Sequence, residues 1–294
     1  MPPCCGVCIF ARRRCTDFYP RQALSDTVAR DLLDTGFPLQ DFTPCELFQR
    51  IRGRTLWFMG DSQMLQFYYA AECFLREFAP SLRRTPAVPF PDNHELMTVR
   101  APVPYPPICL DLALGTRVCA VRVDAVRDLI DTVIPKIQAL VPNCHNDGIV
   151  VLNFGLHYPK PGSGGRPVEQ SLLHFKSPDG SWPGGPKPFT CARLDAWMEG
   201  DPAVLAGGAY NAAIVHLLPA IADAHLKTWN ATAPLWRTHW PDECSHWCHP
   251  SAYQLWLFLL NAVLQRRPLG SKVVVRGGAD LSRRLAASPP AAKQ

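Results

Sequence analysis

The stretch RTLWFMGDSQMLQFYYAAECFL, residues 54–75, decides how the rest of the chain is read. Residues 55–60, TLWFMG, form a continuous apolar run closed by glycine, the pattern of a strand buried on both faces. Residues 63–78, QMLQFYYAAECFLREF, are apolar around almost the whole helical circumference, so a buried helix is expected there. Gly60-Asp61-Ser62 therefore marks a tight turn from strand to helix. A serine at that point stands outside the carboxyl end of a parallel sheet, where open α/β folds gather their active sites. Its backbone N–H belongs to a helix N-terminus and is aimed at negative charge developing beside it. A plainer reading makes Ser62 only the cap of a helix that starts at Gln63.

Working outward, SDTVARDLLDTG (25–36) reads as a helix capped by Ser25 and stopped by Gly36, and CELFQRIRG (45–53) as a second one ending on Gly53. RVCAVRVDAV (117–126) alternates like a strand, VRDLIDTVIPKIQALV (126–141) is a helix kinked or begun near Pro135, and DGIVVLNFG (147–155) is another buried strand. Residues 202–226, PAVLAGGAYNAAIVHLLPAIADAHL, read as helical through most of their length. APLWRTHW (233–240) is expected as a further strand, and SAYQLWLFLLNAVLQRR (251–267) as an apolar helix with a basic last turn. Strands alternating with helices imply an α/β domain of three layers around a mostly parallel sheet.

With 294 residues, 47% of them hydrophobic, the chain can bury a substantial core. Its net charge of +5 sits in short groups such as Arg12-Arg13-Arg14 rather than in a stripe, which argues against a nucleic-acid partner. Thirty prolines and 19 glycines gather in 101–107, 158–167 and 177–189, which read as irregular surface excursions. Twelve cysteines, an even number that permits full pairing, suit an oxidising compartment better than the cytosol. Zinc is the competing use, best placed at Cys4-Cys5-Cys8-Cys15, but that spacing lacks a second matched pair. The N-terminal residues hold no apolar core long enough for a signal peptide or a membrane span. Secretion then requires a missing start, while Cys4-Cys5 beside basic residues offers membrane association by lipidation. Asn230-Ala231-Thr232 is a glycosylation acceptor triplet for a chain in the secretory pathway.

A nucleophilic serine needs a base. THWPDECSHWCHP (238–250) packs three of the nine histidines, two carboxylates and two cysteines between a predicted strand and a helix. An acid three or four residues before a histidine can curl back and orient its Nδ1, so Glu243 or Asp242 is the candidate partner of His246. Disulfides at Cys244 and Cys248 would hold that loop rigid; a zinc knuckle is the alternative. Asn153, following a buried strand, can donate its side-chain amide to the oxyanion, or can serve only its own turn. His157 is a candidate substrate contact. Trp182, Trp229, Trp240 and Trp247 are candidates for stacking on sugar rings, with burial in the core as the competing use.

Taken together, the GDS turn with its flanking strand and helix, DGIVVLNFGLH (147–157) and LWRTHWPDECSHWCHP (235–250) resemble the PC-esterase branch of the SGNH (GDSL-type) hydrolase superfamily. The likeness is greatest to the trichome-birefringence-like polysaccharide O-acetyltransferases of plants and their algal and animal relatives. It runs from about Cys45 to about Leu264, and is strongest at its two ends. The resemblance implies that Ser62 is the nucleophile. The family's Asp-Cys-x-His-x-Cys motif falls on Glu243-Cys244-Ser245-His246-Trp247-Cys248, making His246 the base, with Glu in place of Asp and Asp242 one residue earlier. No counterpart of the superfamily's oxyanion glycine stands between residues 90 and 130 except Gly115, which is a poor match. The implied organisation is an irregular segment 1–42, an SGNH/PC-esterase-like catalytic domain 43–268 with a three-layer α/β/α sandwich, and a tail 269–294. The implied activity is serine-dependent acyl transfer on a carbohydrate or polysaccharide with an acetyl donor, by an O-acetyltransferase or acetylesterase that needs no cofactor, in the Golgi lumen or outside the cell. A non-catalytic glycan-binding relative with a decayed site is the alternative.

Overall fold

The structure, a computed structural model, describes residues 30, 42–81, 84–85, 107–140, 148–153, 175–176, 178, 188, 190–193, 215–240, 244–249 and 251–266. The first described helix, α1 (Pro44–Ile51), begins where Thr43 and Glu46 form a reciprocal capping box and Pro44 supplies a preset φ. Gly53, at φ 74°, turns the chain into strand β1 (Thr55–Gly60). Helix α2 (Ser62–Leu75) follows after one residue. Short β2 (Arg84–Thr85), β3 (Ile108–Asp111) and β4 (Arg117–Arg122) come next, β3 and β4 joined through a tight turn with Leu114 and Gly115 at positive φ. A helical segment, α3, then runs through Val126–Asp128, a π-helical turn at Leu129–Val133 and Ile134–Leu140. The π turn precedes Pro135, whose missing N–H and ring interrupt the ordinary ladder. Strand β5 (Gly148–Asn153) completes the main sheet.

That sheet is mixed, with order β2-β3-β4-β1-β5. β1 pairs in parallel with β4 on one side and β5 on the other, while β3 is antiparallel to both β2 and β4. From β1 the chain passes through α2 to the edge strand β2, returns through β3 to β4 beside β1, and crosses by α3 to β5 on the other side, so β1 marks the point where the strand order reverses. Successive side chains of a strand face opposite ways. Leu56 and Phe58 join Val118 and Ala120 under α2, α1 and the last helix, whereas Trp57, Met59 and Val121 meet Leu129, Val133 and Ile137 of α3. Helices thus cover both faces of β1, which is why its apolar run is uninterrupted. Cys109 and Cys119, opposite each other across β3 and β4, form a disulfide.

Further along, β6 (Phe175–Lys176) pairs antiparallel with β7 (Thr190–Cys191). Within the predicted helix 202–226 the described part is helical only at α4 (Leu218–Ile221) and leaves helix at Ala222. The strand expected at 233–240 is absent. Instead α5 (Trp229–Thr232) runs on into a 3-10 helix over Ala233–Thr238. Pro234 sits at its start with φ preset for a helical turn, and six residues are too few for alternation to be told from helical spacing. The last helix, α6 (Ala252–Arg266), packs its Tyr253, Trp256, Leu257 and Leu260 into the same core as α2. Phe67 of α2 meets Trp256 edge-on at 5.5 Å. Among the described residues no helix is long and apolar enough to cross a membrane. The expected helix 25–36, apart from helical Arg30, and the Cys4-Cys5-Cys8-Cys15 cluster lie outside the described residues.

Candidate active site

Two turns of chain meet at the carboxyl end of β1. Gly60 adopts φ 151°, and a Cβ there would fall on the carbonyl oxygen of Asn153 and crowd Met64, so only glycine fits. Asp61 is 1% exposed and caps α2, its carboxylate accepting from the Gln63 N–H at 3.0 Å. Ser62 is therefore the first helical residue rather than the cap. Its hydroxyl is released from local duty, and its N–H, at the first helical position, has no partner within the helix.

His246 comes to it from the opposite side. Its Nε2 lies 2.7 Å from Ser62 Oγ, a hydrogen bond across 184 residues of sequence. When Nε2 accepts the serine proton, Nδ1 carries a hydrogen and donates to Ser245 Oγ at 3.1 Å. Trp240 stacks on the imidazole at 4.7 Å. Asp242, Glu243 and His157 lie outside the described residues.

The loop that carries His246 is irregular, so its geometry comes from side chains and cross-links. His239 and Trp247 form an isolated antiparallel bridge. The His246 carbonyl accepts from the Trp240 N–H at 2.9 Å and from His239 Nδ1 at 2.9 Å. Trp247 is buried among His239, Tyr253 and Trp256, so it anchors the loop in the core and cannot serve as a sugar platform. Cys244 is bridged to Cys191 of β7, and Cys248 is also disulfide-bonded. Neither sulfur is a thiolate for zinc, which removes the zinc-knuckle reading. Full pairing of the cysteines does not hold, because Cys45 is free and exposed.

Two glutamines on α2 reach this loop, and the sequence reading passed over both. Gln63, 3% exposed, donates to the Ser245 carbonyl at 2.5 Å and accepts from the Tyr253 hydroxyl at 2.8 Å. Gln66, equally buried, pairs its Oε1 with His249 Nε2 at 3.1 Å, while Gln254 donates to His249 Nδ1 at 2.9 Å. Burial holds the His249 pKa down to about 4, so this imidazole is neutral near pH 7. The available signal is two amides, three residues apart, near the start of a mostly apolar helix.

Asn153 ends β5 directly beside Gly60 and shares the face of Ile149 and Val151, which pack on the α2 side. It is exposed, as a residue serving an external ligand must be. Arg122, ending β4, flanks Gly60 on the other side and is paired with Asp124. Gly115 lies in the turn before β4, at the far end of that strand from Gly60, so it has no place in this site. Trp229 is half-buried, Trp182 lies outside the described residues, and so does the side chain of Asn230. Thr232 of the acceptor triplet is buried, donating to the Thr228 carbonyl and accepting from Trp256. Among the described residues no cluster of three or more His, Cys, Asp or Glu is placed to hold a metal ion. Comparisons with protein-family models, with curated proteins and with solved structures find no match.

Proposed function

We propose that this chain is a serine-dependent acyl-transfer enzyme of SGNH type acting on carbohydrate, either an O-acetyltransferase or an acetylesterase. The observation that carries the reading is the 2.7 Å contact between Ser62 Oγ and His246 Nε2 at the carboxyl end of β1. That is where a doubly wound sheet opens its crevice, at the reversal of strand order. Coverage of β1 by α2 on one face and α3 on the other supports the three-layer sandwich of that superfamily.

In this reading His246 takes the Ser62 proton as Oγ bonds to the ester carbonyl carbon. The carbonyl oxygen becomes an oxyanion, held by the Ser62 N–H and the Asn153 amide. Collapse breaks the ester C–O bond, and the leaving oxygen receives the proton from Nε2, which leaves an acyl group on Ser62. A second hydroxyl then gives its proton to His246 and bonds to the acyl carbon, and collapse breaks the Ser62 Oγ–acyl bond as Nε2 returns the proton to Oγ. Water there makes an esterase and a sugar hydroxyl a transferase. Either Asp242 or Glu243 orients His246 in company with Ser245. The carbohydrate half of the reading rests on the resemblance of the GDS, Asn153 and His246 stretches to PC-esterases.

Disulfides at Cys109–Cys119 and Cys191–Cys244 support folding in the Golgi lumen or outside the cell. The intact pair weighs against a decayed, binding-only site. A serine-directed fluorophosphonate followed by intact-mass spectrometry tests the mechanism. One adduct is expected on the wild type and none on Ser62→Ala, while His246→Ala should label about 10⁴-fold more slowly. No adduct on oxidised, folded wild type would remove the acyl-enzyme.

A further inference from the structure

We propose that Gln63 is a positioning residue that sets the distance between Ser62 and His246 by closing a small ring of bonds around them. The inference rests on the acyl-transfer reading and deepens it. Gln63 is joined covalently to Ser62, and its Nε2 donates to the carbonyl of Ser245, which is joined covalently to His246. The Ser62 hydroxyl to His246 Nε2 bond closes the circuit. Closure couples the torsions of the ring, and those of Ser62 and Gln63 are further held by helix α2 and by burial, so nucleophile and base keep their separation when the surrounding fold breathes.

The rest of the site supports that role. The peptide entering His246 is held by Gln63, and the peptide leaving it is held by the Trp240 N–H and His239 Nδ1. Both backbone neighbours of the imidazole are thereby pinned, and the ring itself lies against Trp240. Tyr253 fixes the far end of the Gln63 amide by donating to Oε1, so the Nε2 is presented to Ser245 in one orientation. Both ends of the amide are used, as a buried polar group requires. Gln66 provides an internal contrast: it sits one turn along the same helix and is as buried, yet its partner His249 lies three residues beyond His246. Gln66 takes no part in the ring.

A misplacement of about 1 Å between reacting groups costs on the order of 100-fold in rate. Gln63→Leu, which abolishes the donor to Ser245, should therefore slow fluorophosphonate labelling by about 100-fold, and should lower kcat for p-nitrophenyl acetate with little change in KM. Gln63→Glu keeps the shape. Its ionised carboxylate cannot donate to the Ser245 carbonyl whereas its protonated form can, so its rate relative to wild type should recover as pH falls. Gln66→Leu, melted alongside, should lose stability and keep a labelling rate within about threefold of wild type. Should Gln63→Leu fail to fold, the isosteric Gln63→Glu and its pH profile decide. Wild-type rates in the folded Gln63 variants, or equal slowing in Gln66→Leu, overturn this inference and leave the acyl-enzyme standing. A wild type that takes no adduct removes both.

Discussion

Ser62 and His246 meet at 2.7 Å but arrive by different means. Regular backbone delivers the serine: a buried strand with parallel partners on both sides, a glycine that nothing else can replace, a capped helix. The histidine rides on a loop with a single β-bridge, placed by a core tryptophan, by disulfides and by the Gln63 amide of a neighbouring helix. The first arrangement is fixed by local geometry. The second depends on groups far apart in sequence, so it should yield to changes that leave the first untouched.

Gly60→Ala attacks the backbone side. The added methyl meets the Asn153 carbonyl at a φ that L-residues avoid, and relief requires backbone rather than a flexible side chain to shift. Strain and overlap together should cost about 4–6 kcal/mol, read as a fall in the urea midpoint with loss of labelling. A variant as stable as wild type would show that the turn relaxes and that the contrast is overstated. Cys244→Ser attacks the other side. Its bridge to Cys191 closes 53 residues, for which the chain-entropy account gives about 4 kcal/mol. Slower labelling is expected from the loosened loop, with the strand and helix signals of β1 and α2 retained in hydrogen exchange. Loss of protection in β1 as well would mean the two regions unfold as one.

The smallest effect concerns pH. His249 has its folded pKa held down to about 4, below an unfolded value of about 6.5. Folding therefore favours the neutral ring, and the contribution is complete above about pH 6.5 and is lost as pH falls through 4. On the order of 3 kcal/mol is at stake. His249→Gln should flatten the wild-type stability curve between those limits in denaturant melts, and parallel curves would contradict the assignment.

The same contrast explains what the sequence disclosed. Residues 54–75 were readable because strand, turn and helix are local and each leaves its own pattern of apolar spacing. His246 could be singled out by the crowding of His, Cys and acids around it. Its supports could not, since Gln63 to Ser245 spans 182 residues and Trp247 depends on an α6 that no local pattern links to it. APLWRTHW reads as a strand on its bulky Leu235, Trp236 and Trp240, too few to separate strand from helix; the helix α5 running into it and Pro234 decide otherwise. Strand β3 went unseen because ICLD is only four residues, directly after a proline-rich stretch. Its place next to β4 is marked by Cys109 facing Cys119, a pairing that spacing alone does not reveal.

Asp61, rather than Ser62, caps α2, and this separates two inheritances. A descendant that replaces the serine keeps its helix, its sheet and the loop opposite, because nothing in folding asks for that hydroxyl. The proposed chemistry can therefore lapse in one step while the architecture persists, and a gene duplicate so altered would survive as a folded protein. Whether any such copy still works is written at positions 62 and 246, and not in the shape of the molecule.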